Sequence, residues 1–322
     1  MKVSRKTRPS GKPPVIRSLG FVFKENDQNA FRLLRKILPS LSTHKGRYRF
    51  FAESSFTKAG SFEGSSLIKP LRFSHLIERS DLIVSLGGDG TLLRCARELL
   101  MTTHWKTTSL LGINGGNLGF LTALSPQEAP SALTLSLETP GTARIDPRAC
   151  LEIRLERKNQ RPRIFQALND CVLSKGSLSR IFEFHLEVDG EFLSSYRADG
   201  LIASTPTGST AYNLAAGGSI VEPSIPALLL TPICAQALSV KPIVISDQRE
   251  VVLSLGRHSS DVYLTIDGHT GIKISSQDRI HITKSKKRVN FFVPPNISSS
   301  HYFQSLRQKL KWGTNLALRA SP

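Results

Sequence analysis

The segment 81–100 (DLIVSLGGDGTLLRCARELL) constrains the fold more than any other. Residues 81–86 read as a buried strand. Gly87, Gly88, Asp89, Gly90 and Thr91 follow without a spacer. Leu92, Leu93, Ala96, Leu99 and Leu100 then recur at helical spacing. Strand, glycine loop and helix N-terminus in that order belong to an α/β unit. The neighbouring segments agree. Residues 15–23 read as a strand, Phe31, Leu34, Ile37 and Leu38 as a helix face, and 48–52 as a second short strand. Residues 109–113 form another buried strand, closed by Asn114, Gly115 and Gly116. This alternation predicts an α/β domain over 15–125, Rossmann-like, with a mostly parallel sheet.

The character changes near Ser125. From 149 to 293 the chain reads as short alternating strands with turn signals between them. Residues 182–188 run into Asp189-Gly190, and 262–266 into Asp267-Gly268. An all-β, sandwich-like domain is expected over 126–295. Leu306 and Leu310 restore helical spacing, so 296–322 is expected to return to the first domain. Residues 1–14, basic and Pro-containing, are expected to be a disordered leader.

Charge narrows the classes of function. The net charge of +18 sits at the ends of the chain. Residues 1–50 carry 13 basic and 2 acidic side chains, and 279–322 carry 9 basic and none acidic. That leaves 21 basic and 23 acidic residues in 51–278. A near-neutral body argues against a broad basic face, so nucleic acid is not expected as a partner. The longest uncharged stretches, 200–221 and 223–240, are respectively rich in Gly, Ser and Thr and interrupted by Pro226 and Pro232. Neither reads as a membrane span. The basic N-terminus lacks the apolar run of a secretory signal. Cys95, Cys150, Cys171 and Cys234 show no CxxC spacing and read as reduced core residues, which places the chain in the cytoplasm. The histidines lack metal-ligand spacing, so no protein-bound metal is expected.

Three clusters carry chemistry. In the glycine loop, consecutive N–H groups and the helix dipole favour phosphate. Asp89 is the odd member, since a carboxylate repels phosphate. It belongs there if it holds a hydroxyl or a cation beside the phosphates, or if it only caps the helix. The second cluster is residues 196–200 running into Ser204, Thr205, Thr207, Ser209, Thr210 and Tyr212. It is too polar for a core strand and offers hydroxyls and a ring to a sugar or base. Asp199 suits an exocyclic amine. The alternative is an ordinary Ser/Thr-rich loop. The third is Asn169-Asp170 inside an apolar run, read as ligands for ribose hydroxyls or as a bulge or strand end.

Together these segments resemble the NAD kinase family, ATP- or polyphosphate-dependent and of bacterial type, which phosphorylates NAD to NADP. The matching blocks occur in the family's order: 86–94 (LGGDGTLLR), 112–122 (GINGGNLGFLT), 167–173 (ALNDCVL), 199–218 (DGLIASTPTGSTAYNLAAGG), 231–246, Asp267-Gly268-His269 and 303–313 (FQSLRQKLKWG). The resemblance covers about residues 15–313. It implies an α/β domain and a β-sandwich domain with the active site between them, usually in a homodimer or homotetramer. It implies NAD and ATP as substrates, with Mg²⁺ or another divalent cation arriving on ATP. Asp89 falls on the catalytic aspartate and, with Gly90, would contact the acceptor ribose. Arg94, Asn169, Asp170, Arg180, Arg197 and Asp199 fall on NAD-contacting positions. Thr210, Ala211, Tyr212, Asn213, Leu214 and Ala215 fall on the strip lining the NAD site. Loop amides and residues 114–117 are candidates for the phosphate cradle. The chain departs from the family pattern at Asp170 (usually Glu), Gln236 (often His), Lys241 (often Arg) and His269 (usually Gln).

Two rival readings bear on the same residues. A lipid or sugar kinase shares the glycine loop, but the strip 207–212 weighs against it. A nucleotide sensor or nucleic-acid-associated protein draws support only from the basic ends.

Overall fold

The computed structural model describes residues 15–24, 27–44, 46–55, 65–115, 119–176, 180–257, 259, 261–297 and 301–312. The expected leader, 1–14, lies outside the described residues. The chain divides into two units. One takes the residues up to Pro147 together with those from Asn290 onward, and the other is Arg148–Val289.

The first unit is built on parallel strands β1 (Ser18–Phe23), β2 (Arg49–Glu53), β3 (Ile68–Leu71), β4 (Leu82–Leu86) and β5 (Ser109–Ile113). Their order is β3-β2-β1-β4-β5. Strands β1, β4 and β5 are buried along their full length, which is why they read as apolar runs rather than as alternation. The missed strand β3 is a four-residue edge containing Pro70. It carries little pattern, and proline suits an edge.

Helix α1 (Gln28–Leu41) follows β1, α2 (Phe73–Arg79) follows β3, and α3 (Asp89–Met101) follows β4. The α1 stripe of Phe31, Leu34, Ile37 and Leu38 is buried as its spacing requires. The Asp27 carboxylate caps this helix by accepting the N–H groups of Asn29 and Ala30. The sheet order reverses between β1 and β4. Open α/β sheets bind ligands at the strand C-termini beside such a point. The chain leaves β4 there as Gly87.

The first unit ends later than the sequence reading placed it, at 147 rather than 125. Helix α4 (Ala129–Glu138) buries Ala129, Ala132, Leu133 and Leu137 in the same core as α1. The hydroxyl of Tyr48, just ahead of β2, donates to Leu137 O at 2.8 Å. Ser, Thr and Pro dilute the apolar stripe of α4, and this dilution read as a domain change. The return also begins earlier than 296. The last residues of β17 (Arg279–Val293) pair with β5, Asn290 opposite Ser109 and Phe291 opposite Leu110. Arg144 then bonds Ile297 O at 2.6 Å. The final helix (His301–Lys309), numbered α6 in chain order, buries Ser305 and Leu306 and lays the Lys309 ammonium 4.4 Å from the centre of the Phe120 ring.

The second unit is a β-sandwich. One antiparallel sheet runs β13 (Ile243–Ser246), β12 (Ala227–Ile233), β11 (Gly200–Ser204), β8 (Asp170–Lys175), β15 (Val262–Ile266), β16 (Thr270–Ile274). The other runs β10 (Glu191–Ala198), β9 (Phe182–Val188), β14 (Val251–Leu255), then β17, with β6 (Arg144–Glu156) paired to β17 and to β7 (Arg163–Ala167). Leu151, Phe184, Leu253 and Ile282 from one sheet share a core with Leu173, Leu201, Leu228 and Leu264 from the other. Tyr196 belongs to this core. Its ring stacks on the cross-strand Phe184 at 5.2 Å and 10°.

Cys95, Cys150 and Cys171 are buried, and burial pushes the Cys95 thiol up to about 12. Cys234 differs from its sequence reading. It is exposed, on a left-handed backbone with φ 47° just after β12. Among the described residues no helix is long and apolar enough to cross a membrane.

One contact tests the layer packing. A side chain on Gly20 in β1 would overlap Ser80 Oγ and meet Leu76 of α2 at 2.7 Å. Gly20→Ala is therefore expected to lower stability by about 1–3 kcal/mol. Urea unfolding followed by circular dichroism measures it, and an unchanged midpoint would mean that α2 does not pack on β1 this closely.

Candidate active site

The glycine loop is shaped by close approach. A side chain on Gly87 would come 2.7 Å from Thr91 Oγ1, and one on Gly115 would come 3.6 Å from the Gly87 Cα. The loops after β4 and β5 thus meet backbone to backbone, and Gly87 N–H donates to Ile113 O at 3.0 Å. Gly88 is the N-cap of α3 and offers no side chain to its free N–H groups. That leaves an anion seat at a helix N-terminus. Of the expected cradle, Asn114 and Gly115 border this loop, whereas Gly116 and Asn117 lie outside the described residues.

Asp89 is the first residue of α3 and is partly exposed, with Gly88 and Gly90 exposed on either side. Its carboxylate does not cap its own helix. Oδ2 accepts the Phe120 N–H at 2.9 Å and Oδ1 the Leu121 N–H at 3.1 Å. A side chain on Gly119 would overlap Asp89 Oδ1. The glycine in the sequence GFL is thus there to admit the carboxylate. Each carboxylate oxygen carries two lone pairs, so each keeps an acceptor site after these bonds. The amides fix the direction of the group and leave it able to take a hydroxyl.

Arg94 lies one turn along α3. Its guanidinium makes two bonds to Glu53 at the end of β2, at 3.2 and 2.5 Å, and sits 3.9 Å from the centre of the Phe73 ring. The structure commits Arg94 to its own unit, through a buried carboxylate that the sequence reading missed.

In the second unit a cavity of about 340 Å³ is lined by Asn169, Asp170, Val172, Ser174, Ala211, Tyr212, Thr265, Asp267 and Gly268. Its floor follows from strand alternation. Asp170, Val172 and Ser174 of β8 line the cavity, while Cys171 and Leu173 between them enter the sandwich core. The Asn169-Asp170 pair straddles the start of a strand. β7 ends at Ala167 and β8 begins at Asp170, so the pair sits at a break between them. Asn169 Oδ1 is buried without a partner. Leaving such a group unpaired costs about 1–3 kcal/mol. Burial, and then the negative charge of Asp267, push the Asp170 carboxyl up to about 7.

Asp267 is the residue that sequence reasoning passed over. It was read only as half of a turn, and its backbone bears that out. Asp267 (φ 46°) and Gly268 (φ 70°) are both left-handed, as the central pair of a type I′ turn requires, and the turn is closed by the His269 N–H donating to Ile266 O at 3.0 Å within the three-residue connection between β15 and β16. Its carboxylate also accepts three main-chain N–H groups, from Leu168 at 2.9 Å, Asn169 at 2.7 Å and Asp170 at 3.1 Å.

The Ser/Thr-rich strip differs from its expected use. Of the cluster read as too polar for a core strand, Tyr196, Arg197 and Ala198 end β10, while Gly200 and Ser204 are the first and last residues of β11, a central strand buried at every position. Most of the hydroxyls that follow are spent on the main chain. Ser204 Oγ donates to Asn169 O, Thr205 Oγ1 to Leu168 O and Ser209 Oγ to Val221 O. The Asn213 amide is fully buried. It donates to Ser209 O and Ser219 O and accepts from Thr231 Oγ1. Of the strip, Ala211 and the exposed Tyr212 line the cavity. Thr210, in the 3-10 turn Gly208–Thr210, and Leu214 and Ala215, in α5 (Tyr212–Ala215), are not part of its lining.

The remaining candidates lie off the cavity lining. Arg180 and Arg197 are exposed. Asp199 pairs with Lys175 at 3.0 Å, beyond the far end of β8 from Asp170. His269 is exposed, with Nδ1 2.9 Å from Asp267 O.

An anion seat with an aspartate aimed by main-chain amides, and a cavity that offers Asn169, Asp170 and the Tyr212 ring, are parts that suit a phosphotransferase acting on a nucleotide. Two family models match the chain. The ATP-NAD kinase N-terminal domain matches residues 19–140, and the ATP-NAD kinase C-terminal domain matches 168–293. The chain belongs to the ATP-NAD kinase family. It is 36% identical to the NAD kinase of Solibacter usitatus, over 93% of this chain and 99% of that one. It is 39% identical to the NAD kinase of Chlorobium phaeovibrioides, over 92% and 99% respectively. Among solved structures, yeast NADH kinase complexed with NADH aligns with a TM-score of 0.83 at 25% identity, covering 94% of this chain and 89% of that one. The fold is also that of an NAD kinase from Archaeoglobus fulgidus, solved in complex with ATP (TM-score 0.67, 24% identity, 90% of this chain and 98% of that one).

The Asp170 carboxyl has a consequence for stability. Its folded-state value of about 7 exceeds the ordinary 3.8, so the folded state holds the proton more tightly than the unfolded chain. Its contribution is fully present below about pH 4 and is lost as pH rises towards and through 7. Asp170→Asn is expected to flatten the melting temperature over that window relative to the parent. Parallel curves for the two proteins would show that Asp170 ionises normally.

Proposed function

We infer that this chain is an NAD kinase: it phosphorylates NAD to NADP, with ATP as phosphoryl donor. The γ-phosphate goes to the 2′-hydroxyl of the adenosine ribose. The observation that carries the reading is the Asp89 carboxylate, held by the amides of Phe120 and Leu121 at the mouth of an anion-binding loop. Phosphoryl transfer asks the protein mainly for positioning and charge stabilisation. Asp89 accepts a hydrogen bond from the 2′-hydroxyl and directs its oxygen at the γ-phosphorus. A carboxylate is a weak base towards an alcohol, which suffices when the transition state is loose and the proton leaves late.

The exposed N–H groups of the glycine loop receive phosphate oxygens. The cavity of the second unit takes the nucleoside. Asn169 Oδ1 accepts a ribose hydroxyl, Asp170 pairs with a neighbouring one, and Tyr212 supplies a ring face. Arg94 and Asp199 are built into ion pairs, so we assign them to holding the loops and not to direct contact. Among the described residues no three His, Cys, Asp or Glu side chains converge on a cation site. Mg²⁺, or another divalent cation, would be carried by ATP and would neutralise charge on its phosphates.

The assembly we propose is a homodimer or homotetramer. It is supported by the edge strand β10, which carries Phe192 and Leu193 at 65% and 48% exposure. A cytoplasmic location fits the three buried free thiols.

Asp89→Asn keeps the shape of the side chain and removes the base. It is expected to bind NAD as the parent does and to lose roughly 10²–10⁴ in turnover. An assay for NADP formation, run with ATP and with inorganic polyphosphate as donors, measures this. Near-normal turnover would remove Asp89 from the mechanism, and an unaltered parent that makes no NADP from either donor would remove the function.

A further inference from the structure

We propose that Asp267 is a positioning residue for this pocket: its carboxylate holds the main chain from which Asn169 and Asp170 reach the nucleoside. The proposal rests on reading the cavity as the nucleoside site. Where β7 gives way to β8, three consecutive peptide groups leave one ladder before joining the next, and each must find partners. All three N–H groups, of Leu168, Asn169 and Asp170, donate to the Asp267 carboxylate. The carbonyls are taken elsewhere. Leu168 O accepts from Thr205 Oγ1 at 2.6 Å, and Asn169 O from Thr205 N–H at 2.9 Å and Ser204 Oγ at 3.1 Å. Asp170 O accepts the Asp267 N–H at 3.0 Å. The break is thus held without the side chains of Asn169 and Asp170, which line the cavity.

The hairpin alone does not require an aspartate. Left-handed backbone at this position suits Asn and Gly as well, so either can replace Asp267 without straining the turn. What neither supplies is a negative charge. That charge is one cause of the raised Asp170 carboxyl, after burial. Among the described residues, the other titratable groups around the pair are Tyr212, which lines the same cavity, His269, bonded to Asp267 O, and the buried thiols of Cys171 and Cys150. Both thiols are held neutral by burial, so Asp267 is the negative charge that bears on Asp170.

Asp267→Asn keeps an oxygen for the Asn169 and Asp170 amides and removes the charge. Asp267→Gly keeps the turn and removes the acceptor. NAD affinity would be measured by calorimetry from pH 5.5 to 8.5, as an order-of-magnitude span around the usual carboxyl and histidine range, for the parent, both variants and Tyr212→Ala. Melting temperatures and the KM for ATP accompany each. Asp267→Gly is expected to weaken NAD binding by about ten- to a hundredfold with the KM for ATP unchanged. Asp267→Asn should bind more tightly than Asp267→Gly, and the midpoint of its pH dependence should fall by about one unit. If Asp267→Gly does not fold, the pH midpoint of Asp267→Asn decides, and an unmoved midpoint overturns the proposal. Weakened binding by Tyr212→Ala with parental binding by both Asp267 variants also overturns it, while leaving the cavity as the nucleoside site. Parental binding by all three variants instead overturns the reading of the cavity.

Discussion

A carboxylate that takes main-chain N–H groups where the chain changes direction is the interaction on which the candidate residues of each unit depend. Asp89 does this for residues 120 and 121, and Asp267 for residues 168 to 170. The physics is the same in each case. A segment between regular elements has N–H groups with no ladder partner, and an ionised acceptor satisfies several at once. The segment then holds one conformation without a helix or strand to enforce it. Asp89 borrows the amides for its orientation. Asp267 lends its oxygens so that its neighbours can face a ligand.

The folds around these carboxylates supply rigidity rather than chemistry. In the first unit, fully buried β1, β4 and β5 set the switch point, and the loops after β4 and β5 meet there through Gly87 and Gly115. Helix α6 adds to this. Its Lys309 lies over the ring of Phe120, the residue whose N–H holds Asp89, so α6 braces the loop that orients this carboxylate. In the second unit the strand period does the equivalent work. A one-residue slip of β8 would bury Asp170 in the sandwich core and turn Leu173 to the cavity, so the hydrophobic core itself fixes which face the acid takes.

Much of the fold was legible because apolar periodicity decides it. The strands at 109–113, 182–188 and 262–266 coincide with β5, β9 and β15, and the stripe of Phe31, Leu34, Ile37 and Leu38 is the buried face of α1. The domain boundary was not legible, because α4 is rich in Ser and Thr and hides its four buried apolar residues among them. The site was legible to the extent that its residues have unusual sequence surroundings. Asp89 stands out between glycines, and Asn169-Asp170 between apolar residues. Asp267 does not stand out, since an Asp-Gly pair after a strand already has a sufficient explanation as a turn. Glu53 and Lys175 are silent for another reason: each is defined by a partner distant in sequence or one whose own role looked different.

The Ser/Thr-rich strip shows why a specific sequence block need not be a set of ligand contacts. A central buried strand that ends in a tight turn exposes several carbonyls to an apolar interior, and each needs a donor. Ser204, Thr205, Ser209 and Asn213 meet that need within their own neighbourhood. Glycines 208 and 218 are fixed for the same reason, because side chains there would overlap Asn169 O and the Asn213 amide. Every one of these residues is specified by the others. The block is therefore distinctive in sequence while only Ala211 and Tyr212 of it line the cavity. Its specificity is that of a scaffold that admits one backbone path, and it packs against Asn169 O while leaving Asn169 Oδ1 as an unpaired acceptor.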